Sequence, residues 1–360
     1  VTPGARPRGF AAMRRGFAAR WRGWSRRRKV LLVAVLAFLL VIPVPLGVLA
    51  VSLRLEYTGD PSVDARTRGK DAVWLGHAWV DGRKSAADVA TLAALLKDTG
   101  VRDLYVHTGP MEHDGTLPLA KVSPKARWFT DAVHQAMPNI RVQAWLGDVL
   151  QPEKKPGMDL EDPAVRDRVT TTSTQVLDQG FDGIHFDVEP VWSGSKGFLA
   201  LLDQVHEVTA ARDVPLSVAT AQISPAPGLD KATIAIAGHG KWWSQDYFAE
   251  VARRVEQVAV MSYDTAMPTE SLYGGYVARQ TELALEVTPP NVDLLMGLPA
   301  YWESNPSHWG HAETVKAAVR GARLGLGKAG RENFGLALYV DFTATPEHWA
   351  AYRQGWCFSV

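Results

Sequence analysis

From residue 71 onward, eight short apolar runs rich in β-branched residues alternate with amphipathic stretches of helical period, and no other feature restricts the fold as much. The runs cover 73–78, 103–107, 141–146, 183–188, 215–219, 257–262, 293–298 and 335–340. Helical stretches at 86–97, 126–136, 162–177, 196–211, 244–254, 271–286 and 312–324 separate them, and 346–353 follows the last. The repeat of about 30–40 residues is the size of a βα unit, and successive βα units build a parallel sheet. Eight of them with a terminal helix favour closure into an α/β, (β/α)8 TIM barrel. An open doubly wound sheet is the alternative that counting leaves standing.

Ahead of the barrel, residues 30–53 carry no charged side chain in 24 positions. At 1.5 Å per residue such a helix is about 36 Å long, against roughly 30 Å of bilayer hydrocarbon. Arg26, Arg27, Arg28 and Lys29 precede it directly. The positive-inside bias then gives a basic cytoplasmic tail at 1–29, a transmembrane signal-anchor at 30–53, a linker at 54–70 and an extracytoplasmic barrel at 71–360. A cleaved signal peptide ending near Val48-Leu49-Ala50, which would leave a secreted barrel, is the competing expectation. The lipid bilayer is thus an expected partner, and the expected state is a monomer.

Charge and cysteine content narrow the class. The formal net charge is +1, but ten of the 39 basic residues lie in 1–29, leaving 29 against all 38 acidic ones. A body of net charge −9 repels phosphates, which argues against a nucleic-acid enzyme. The single cysteine, Cys357, allows no intrachain disulfide. The glycines of Gly325, Gly327 and Gly330 fit a dinucleotide fingerprint in spelling, yet they follow a helix and precede a strand, so they read as helix termination and turn. His308 and His311 have metal-like spacing, but no third ligand stands near them in sequence; no metal and no organic cofactor is expected.

The fourth strand carries the chemistry. In Asp182-Gly183-Ile184-His185-Phe186-Asp187-Val188-Glu189 the side chains of His185, Asp187 and Glu189 share one face, and Ile184, Phe186 and Val188 the other. With the apolar set against the helices, the ionisable set lines the barrel and Glu189 reaches the C-terminal mouth, where barrel active sites lie. A carboxylic acid there, beside a second carboxylate, has its pKa raised and can protonate a leaving oxygen. A buried network of mutually satisfied polar groups is the bland counterpart.

This strand resembles the Asp-Gly-x-Asp-x-Asp-x-Glu signature of the family 18 glycoside hydrolases, the chitinase-type barrels, with Asp182, Gly183, Asp187 and Glu189 in register. Met261-Ser262-Tyr263-Asp264 is similar to the family's Met-x-Tyr-Asp at the end of strand 6, and Gly297-Leu298-Pro299-Ala300-Tyr301 to its strand 7 ending. The resemblance spans about 72–342. It implies that Glu189 is the proton donor and that Asp187, with Tyr263 and Asp264, holds the substrate's own acetamido group, whose oxygen is the nucleophile. Catalytic roles thus fall on Glu189, Asp187 and Tyr263. Met261, Asp264, Trp192, Tyr301, Tyr339, Trp145 and His185 are the expected substrate-binding residues.

Two positions depart from the pattern. His185 replaces the family's middle Asp, so the usual relay of two Asp residues is broken, although an imidazole is able to hydrogen-bond Asp187 in its place. Tyr339 stands where a Trp commonly floors the subsite, a smaller platform for a sugar face. Three functions remain open on the sequence: a hydrolase of β-linked N-acetylhexosamine glycans (chitin- or peptidoglycan-like), a glycan-binding barrel without turnover, and a barrel glycosidase of other sugar specificity.

Overall fold

The computed structural model describes residues 25–31, 43–151, 154–226, 228–237, 240–327 and 330–358. The chain divides into two units, 1–52 and 53–360. Strands β1 (Asp71–Leu75), β2 (Val101–Pro110), β3 (Arg141–Val149), β4 (Gly183–Glu189), β5 (Leu216–Thr220), β6 (Gln257–Val260), β7 (Asp293–Pro299) and β8 (Phe334–Tyr339) close a parallel barrel in sequence order. β8 pairs with β1, which rules out the open sheet.

Around it run α2 (Ala86–Leu96), α3 (Leu119–Val122), α4 (Ala126–Ala136), α5 (Pro163–Leu177), α6 (Lys196–Ala210), α7 (Leu229–Ala237), α8 (Gln245–Ala252), α9 (Glu270–Val287), α10 (Val315–Leu326) and α11 (Pro346–Tyr352), with α1 (Pro43–Glu56) ahead of β1. Polar caps start many of these helices. Asp162 accepts from the Ala164 N–H with Pro163 in the first turn of α5, and Ser195, Ser244, Thr269 and Thr314 accept from backbone N–H groups of α6, α8, α9 and α10. Such caps satisfy otherwise orphaned donors at about 1 kcal/mol each. The sequence pattern gives no sign of α3 or α7; α7 directly follows Pro225-Ala226-Pro227-Gly228, a run of turn-forming residues.

The alternation read in β4 sets the packing. Ile184, Phe186 and Val188 enter the outer core with Phe198, Leu201, Leu202 and Val205 of α6. Each fully buried side chain of this kind contributes about 1.5–3 kcal/mol. Inside the barrel a smaller cluster holds Trp74, Tyr105, Trp145, Ala219, Ala259, Leu295 and Ala337. Beneath it Gln143 and Gln257 both donate to the buried Asp103 carboxylate, which Arg141 and Arg102 also bind. Asp71, fully buried, accepts from Thr67, Tyr352, Trp356 and the Leu336 N–H at the start of β1.

Residues 54–70 lie against the barrel's helices. Arg320 of α10 sits over the Tyr57 ring, Arg323 donates to Ala65 O, and Ala65 is part of the outer core. The expected membrane span is only partly covered, because residues 32–42 and the tail at 1–24 lie outside the described residues. Among the described residues no helix is long and apolar enough to cross a membrane. α1 has 14 residues, with Val44, Leu46, Val48, Val51 and Leu55 exposed. The glycine-rich stretch ends α10 and turns the chain, as its context indicated: Gly325 lies in the helix, Gly327 caps it and Gly330 has φ +62°.

Candidate active site

The C-terminal ends of β4, β5, β6 and β8 surround a cavity of about 250 Å³ lined by Asp187, Glu189, Ala221, Gln222, Lys241, Met261, Tyr263, Asp264 and Tyr339. β4 brings Asp187 and Glu189 there because they are two positions apart on one strand face. β3 makes room for this strand at Gly147, which pairs with Asp187; a Cβ on it would stand 2.9 Å from Asp187 O. β6 ends at Val260, and the chain then crosses the rim through Met261, Ser262, Tyr263 and Asp264, the last at φ +56°. Gln222, just past β5, fixes that crossing: its Nε2 donates to Met261 O at 3.0 Å and to Tyr263 O at 2.6 Å. Gly297 of β7 clears space for the phenol, since a Cβ there would lie 2.8 Å from the Tyr263 ring.

The electrostatics raise both carboxyls of β4, Glu189 to about 8 and Asp187 to about 6. Glu189 ends β4 at the rim, where the residue as a whole is exposed but its carboxyl, lining the cavity among Asp187, Tyr263 and Asp264, is raised above the ordinary range. Loss of surrounding water is the main cause, and the charges of Asp187 and Asp264 add to it. Burial raises Asp187 as well, with the Trp145 indole pulling the other way, and Asp187 Oδ1 is buried without a hydrogen-bond partner. Tyr263 is pushed well above its usual value by burial and stays a neutral hydroxyl.

Aromatic rings wall this space. Tyr339 stacks on Tyr263 with centroids 5.1 Å apart and meets Trp145 and Tyr301 edge-on at 6.2 and 6.1 Å. Tyr339 also lines a neighbouring cavity of about 720 Å³ with Trp145, His77, His107 and Phe342, so the two cavities adjoin. The smaller one falls below the roughly 300–1,000 Å³ of typical ligand pockets. A longer ligand seated there must therefore extend across Tyr339.

Most of the residues singled out in the sequence meet here. Glu189, Asp187, Tyr263, Asp264, Met261 and Tyr339 share the cavity, Trp145 lines its neighbour, and the Tyr301 hydroxyl donates to Asp264 Oδ1 at 2.8 Å. Trp192 stands apart, in a separate groove with Gln151, Leu160 and Glu161. His185 is fully buried below the cavity and does not line it. Trp74 Nε1 donates to its Nε2 at 3.0 Å and its Nδ1 meets Ser217 Oγ at 2.8 Å, so both ring nitrogens are taken and neither bonds Asp187. The direct His185–Asp187 bond open to an imidazole is therefore replaced by two bonds to other strands.

Other rim aromatics divide the same way. Trp79 is core, with its Nε1 on Asp341, whereas Trp302 and Trp309 are exposed. Sequence reasoning missed Gln222 and Lys241. Gln222 follows a strand end, a position that marks barrel sites in general; Lys241 sits between α7 and α8, away from any strand end, and carries no comparable signal.

No protein-family model matches the chain, and no curated protein matches its sequence. Solved structures do match. The spore cortex-lytic enzyme SleL of Bacillus cereus superposes with a TM-score of 0.57 at 13% identity, over 80% of this chain and 74% of that one. A chitinase from Chromobacterium violaceum gives 0.54 at 15% identity, over 79% and 98%. A class V chitinase from Nicotiana tobaccum, solved as a mutant in complex with NAG4, gives 0.52 at 12% identity, over 81% and 99%. The fold is thus the (β/α)8 barrel that chitinases and a spore cortex-lytic enzyme adopt. These are the kind of barrels that the β4 signature resembles, although sequence and fold are separate observations.

Proposed function

We propose that this chain is an extracytoplasmic glycoside hydrolase of β-linked N-acetylhexosamine glycans, chitin-like or peptidoglycan-like. The observation that carries this reading is the cavity in which Asp187 and Glu189 of β4 face Tyr263 and Asp264 from the end of β6. Those are the positions to which the family resemblance assigns acid catalysis and acetamide binding. The similar structures are chitinases and a cortex-lytic enzyme, which supports a hydrolase of N-acetylglucosamine-containing glycans.

The steps follow from the groups present. Glu189, held protonated, gives its proton to the leaving glycosidic oxygen. The acetamido oxygen of the sugar that is left behind attacks that sugar's own anomeric carbon as its bond to the leaving oxygen breaks, and Asp187 and Tyr263 hold the amide in place. Glu189, now a carboxylate, takes a proton from water as it opens the bicyclic intermediate, so configuration is retained. Tyr339 and Trp145 offer flat apolar faces for the sugar rings.

A screen of N-acetylated glycans with wild type and Glu189→Gln tests this reading. Reducing ends released by wild type and lost by a factor of about 10²–10⁴ in the variant, with binding intact, support it. Equal release by both proteins would end it. One observation favours a second reading, a glycan-binding barrel without turnover: His185 is bonded away from Asp187. Tight binding by wild type with no reducing ends after long incubation would select it.

The extracytoplasmic placement is part of the proposal. It rests on Arg26–Lys29 before the apolar run and on the exposed apolar side chains of α1. Protease added outside intact cells should digest the barrel; protection until lysis would contradict it.

A further inference from the structure

Beside the cavity, two loops meet: the one after β6 brings Asp264, and the one between β7 and α10 brings both His308 and Glu313. Their donor atoms all lie within 4.8 Å of one another. His308 Nδ1 is 3.2 Å from Asp264 Oδ1 and 3.3 Å from Glu313 Oε2. His308 and Glu313 are 0% and 1% exposed, yet neither ring nitrogen of His308 makes a hydrogen bond. A fully buried imidazole flanked by two carboxylates at ion-pair distance, yet hydrogen-bonded to neither, leaves donor and acceptor atoms for a shared occupant to satisfy.

Distances separate two accounts of this cluster. Burial opposes a charge on the imidazole, but the two carboxylates outweigh it and raise His308 to about 9, so a proton is the competing occupant. In an imidazolium clamped by carboxylates, however, an N–H points at an oxygen about 2.7–2.9 Å away. Here both separations are longer and no N–H is aimed at either oxygen. A cation with bonds of roughly 2.0–2.2 Å to nitrogen and oxygen sets its tetrahedral ligands about 3.3–3.6 Å apart and its octahedral ones about 2.8–3.1 Å apart. The two His308 separations of 3.2 and 3.3 Å fall from just above the octahedral spacing to the short end of the tetrahedral one, and are longer than a clamped N–H to carboxylate bond.

The surroundings fit the same account. Both Glu313 oxygens lie 3.1 Å from the Thr265 N–H, and Asp264 Oδ1 accepts from Tyr301, so both carboxylates are oriented from behind. The Tyr301 ring covers His308 at 4.3 Å between centroids. The Asp264 side chain, by contrast, is 46% exposed and lines the cavity, which leaves one side open.

We propose that Asp264, His308 and Glu313 bind one divalent first-row transition cation of the Zn²⁺ class, with its open position facing the cavity. One imidazole and two carboxylates suit such an ion, and their two negative charges balance it. Water or an oxygen of the cavity's occupant would complete the coordination.

The test reads binding alone, so its outcome is separable from the hydrolase reading. The untagged full chain is stripped with chelator and titrated with Zn²⁺, Mn²⁺ and Ca²⁺ in separate calorimetric runs. The expected result is one tight Zn²⁺ per chain, weaker Mn²⁺ and Ca²⁺, and affinity reduced at least tenfold in Glu313→Gln and His308→Ala. Where a variant does not fold, wild type loaded with Co²⁺ gives the second readout: a visible d–d spectrum that Zn²⁺ abolishes. Either no saturable Zn²⁺ binding to wild type, or Zn²⁺ binding unchanged in a folded His308→Ala, overturns the proposal.

Discussion

The phenol ring of Tyr105 lies flat against the imidazole of His185, with centroids 3.7 Å apart and planes 8° from parallel. Because Trp74 donates to Nε2, that nitrogen carries no proton, and Nδ1–H is left to donate to Ser217. Burial therefore pushes the imidazole down to about 3, from an ordinary 6.5. A depressed folded-state value makes the unfolded chain bind the extra proton first. The contribution of His185 is present above pH 6.5 and fades as the pH falls toward 3. Urea unfolding of wild type and His185→Gln should differ most at neutral pH, with the gap closing by up to about 1.4 kcal/mol per pH unit on acidification. A gap constant from about pH 7 to about pH 4.5 would count against the buried neutral imidazole.

After loss of surrounding water, the charge of Asp187 is the next largest cause that raises the Glu189 carboxyl. Replacing Asp187 by Asn removes that charge, so Glu189 gives up its proton more readily. If Glu189 works as the acid, the basic limb of the kcat/KM profile then moves toward lower pH. Activity should also fall by about 10²-fold, because the acetamide loses its orienting partner. A basic limb that stays in place while activity drops would separate the two carboxyls and remove Glu189 from the acid role.

Gln222 ties three parts of the rim together. Besides the carbonyls of Met261 and Tyr263, its Oε1 accepts from the Tyr276 hydroxyl at 2.7 Å. Leucine in its place fills similar volume but takes the donor from two carbonyls and the acceptor from the Tyr276 O–H, whose oxygen still accepts from Trp242, a cost of about 2–4 kcal/mol after partial relaxation. Thermal melts should show that loss, and affinity for an N-acetylated oligosaccharide should weaken as Tyr263 shifts. Unchanged melting with unchanged affinity would make Gln222 a passive liner of the cavity.

What the sequence disclosed follows the range over which each signal acts. Asp187 and Glu189 are two positions apart on one strand, and alternation alone places them on one face. The strand expected at 73–78 starts at Asp71 and ends at Leu75, because its end is set from far away. Asp341 takes the N–H of Gly76 and the indole of Trp79, turning the chain off the barrel while its residues are still apolar. His185 shows the same limit, since its partners Trp74 and Ser217 lie on two other strands. The pair His308 and His311 suggested ligand spacing with no third ligand near; Glu313, in the same loop, is the neighbour that joins His308, and only Asp264 arrives from another loop, after β6. Loops that converge only after barrel closure leave no periodic trace in the chain.

Asp71 supplies a stability test remote from the cavity, at the opposite end of β1 from the rim. Its carboxylate accepts Thr67 Oγ1 at 2.7 Å, Tyr352 Oη at 2.7 Å, the Leu336 N–H at 2.7 Å and Trp356 Nε1 at 2.9 Å, linking the segment before β1 to β8 and the C-terminal helix. Alanine leaves three buried donors, Tyr352, Trp356 and the Leu336 N–H, and the half-buried Thr67 hydroxyl without their acceptor. Since each unsatisfied group costs about 1–3 kcal/mol, Asp71→Ala should lose more than ~4 kcal/mol, placing it among the severe single substitutions. Asn keeps one acceptor oxygen and the side-chain volume, so its loss should fall between wild type and alanine. Denaturant midpoints order the three proteins, and kcat per folded molecule should stay at the wild-type value. An Asp71→Ala protein as stable as wild type would mean that water or a shifted neighbour replaces the carboxylate, and that the base of the barrel does not depend on it.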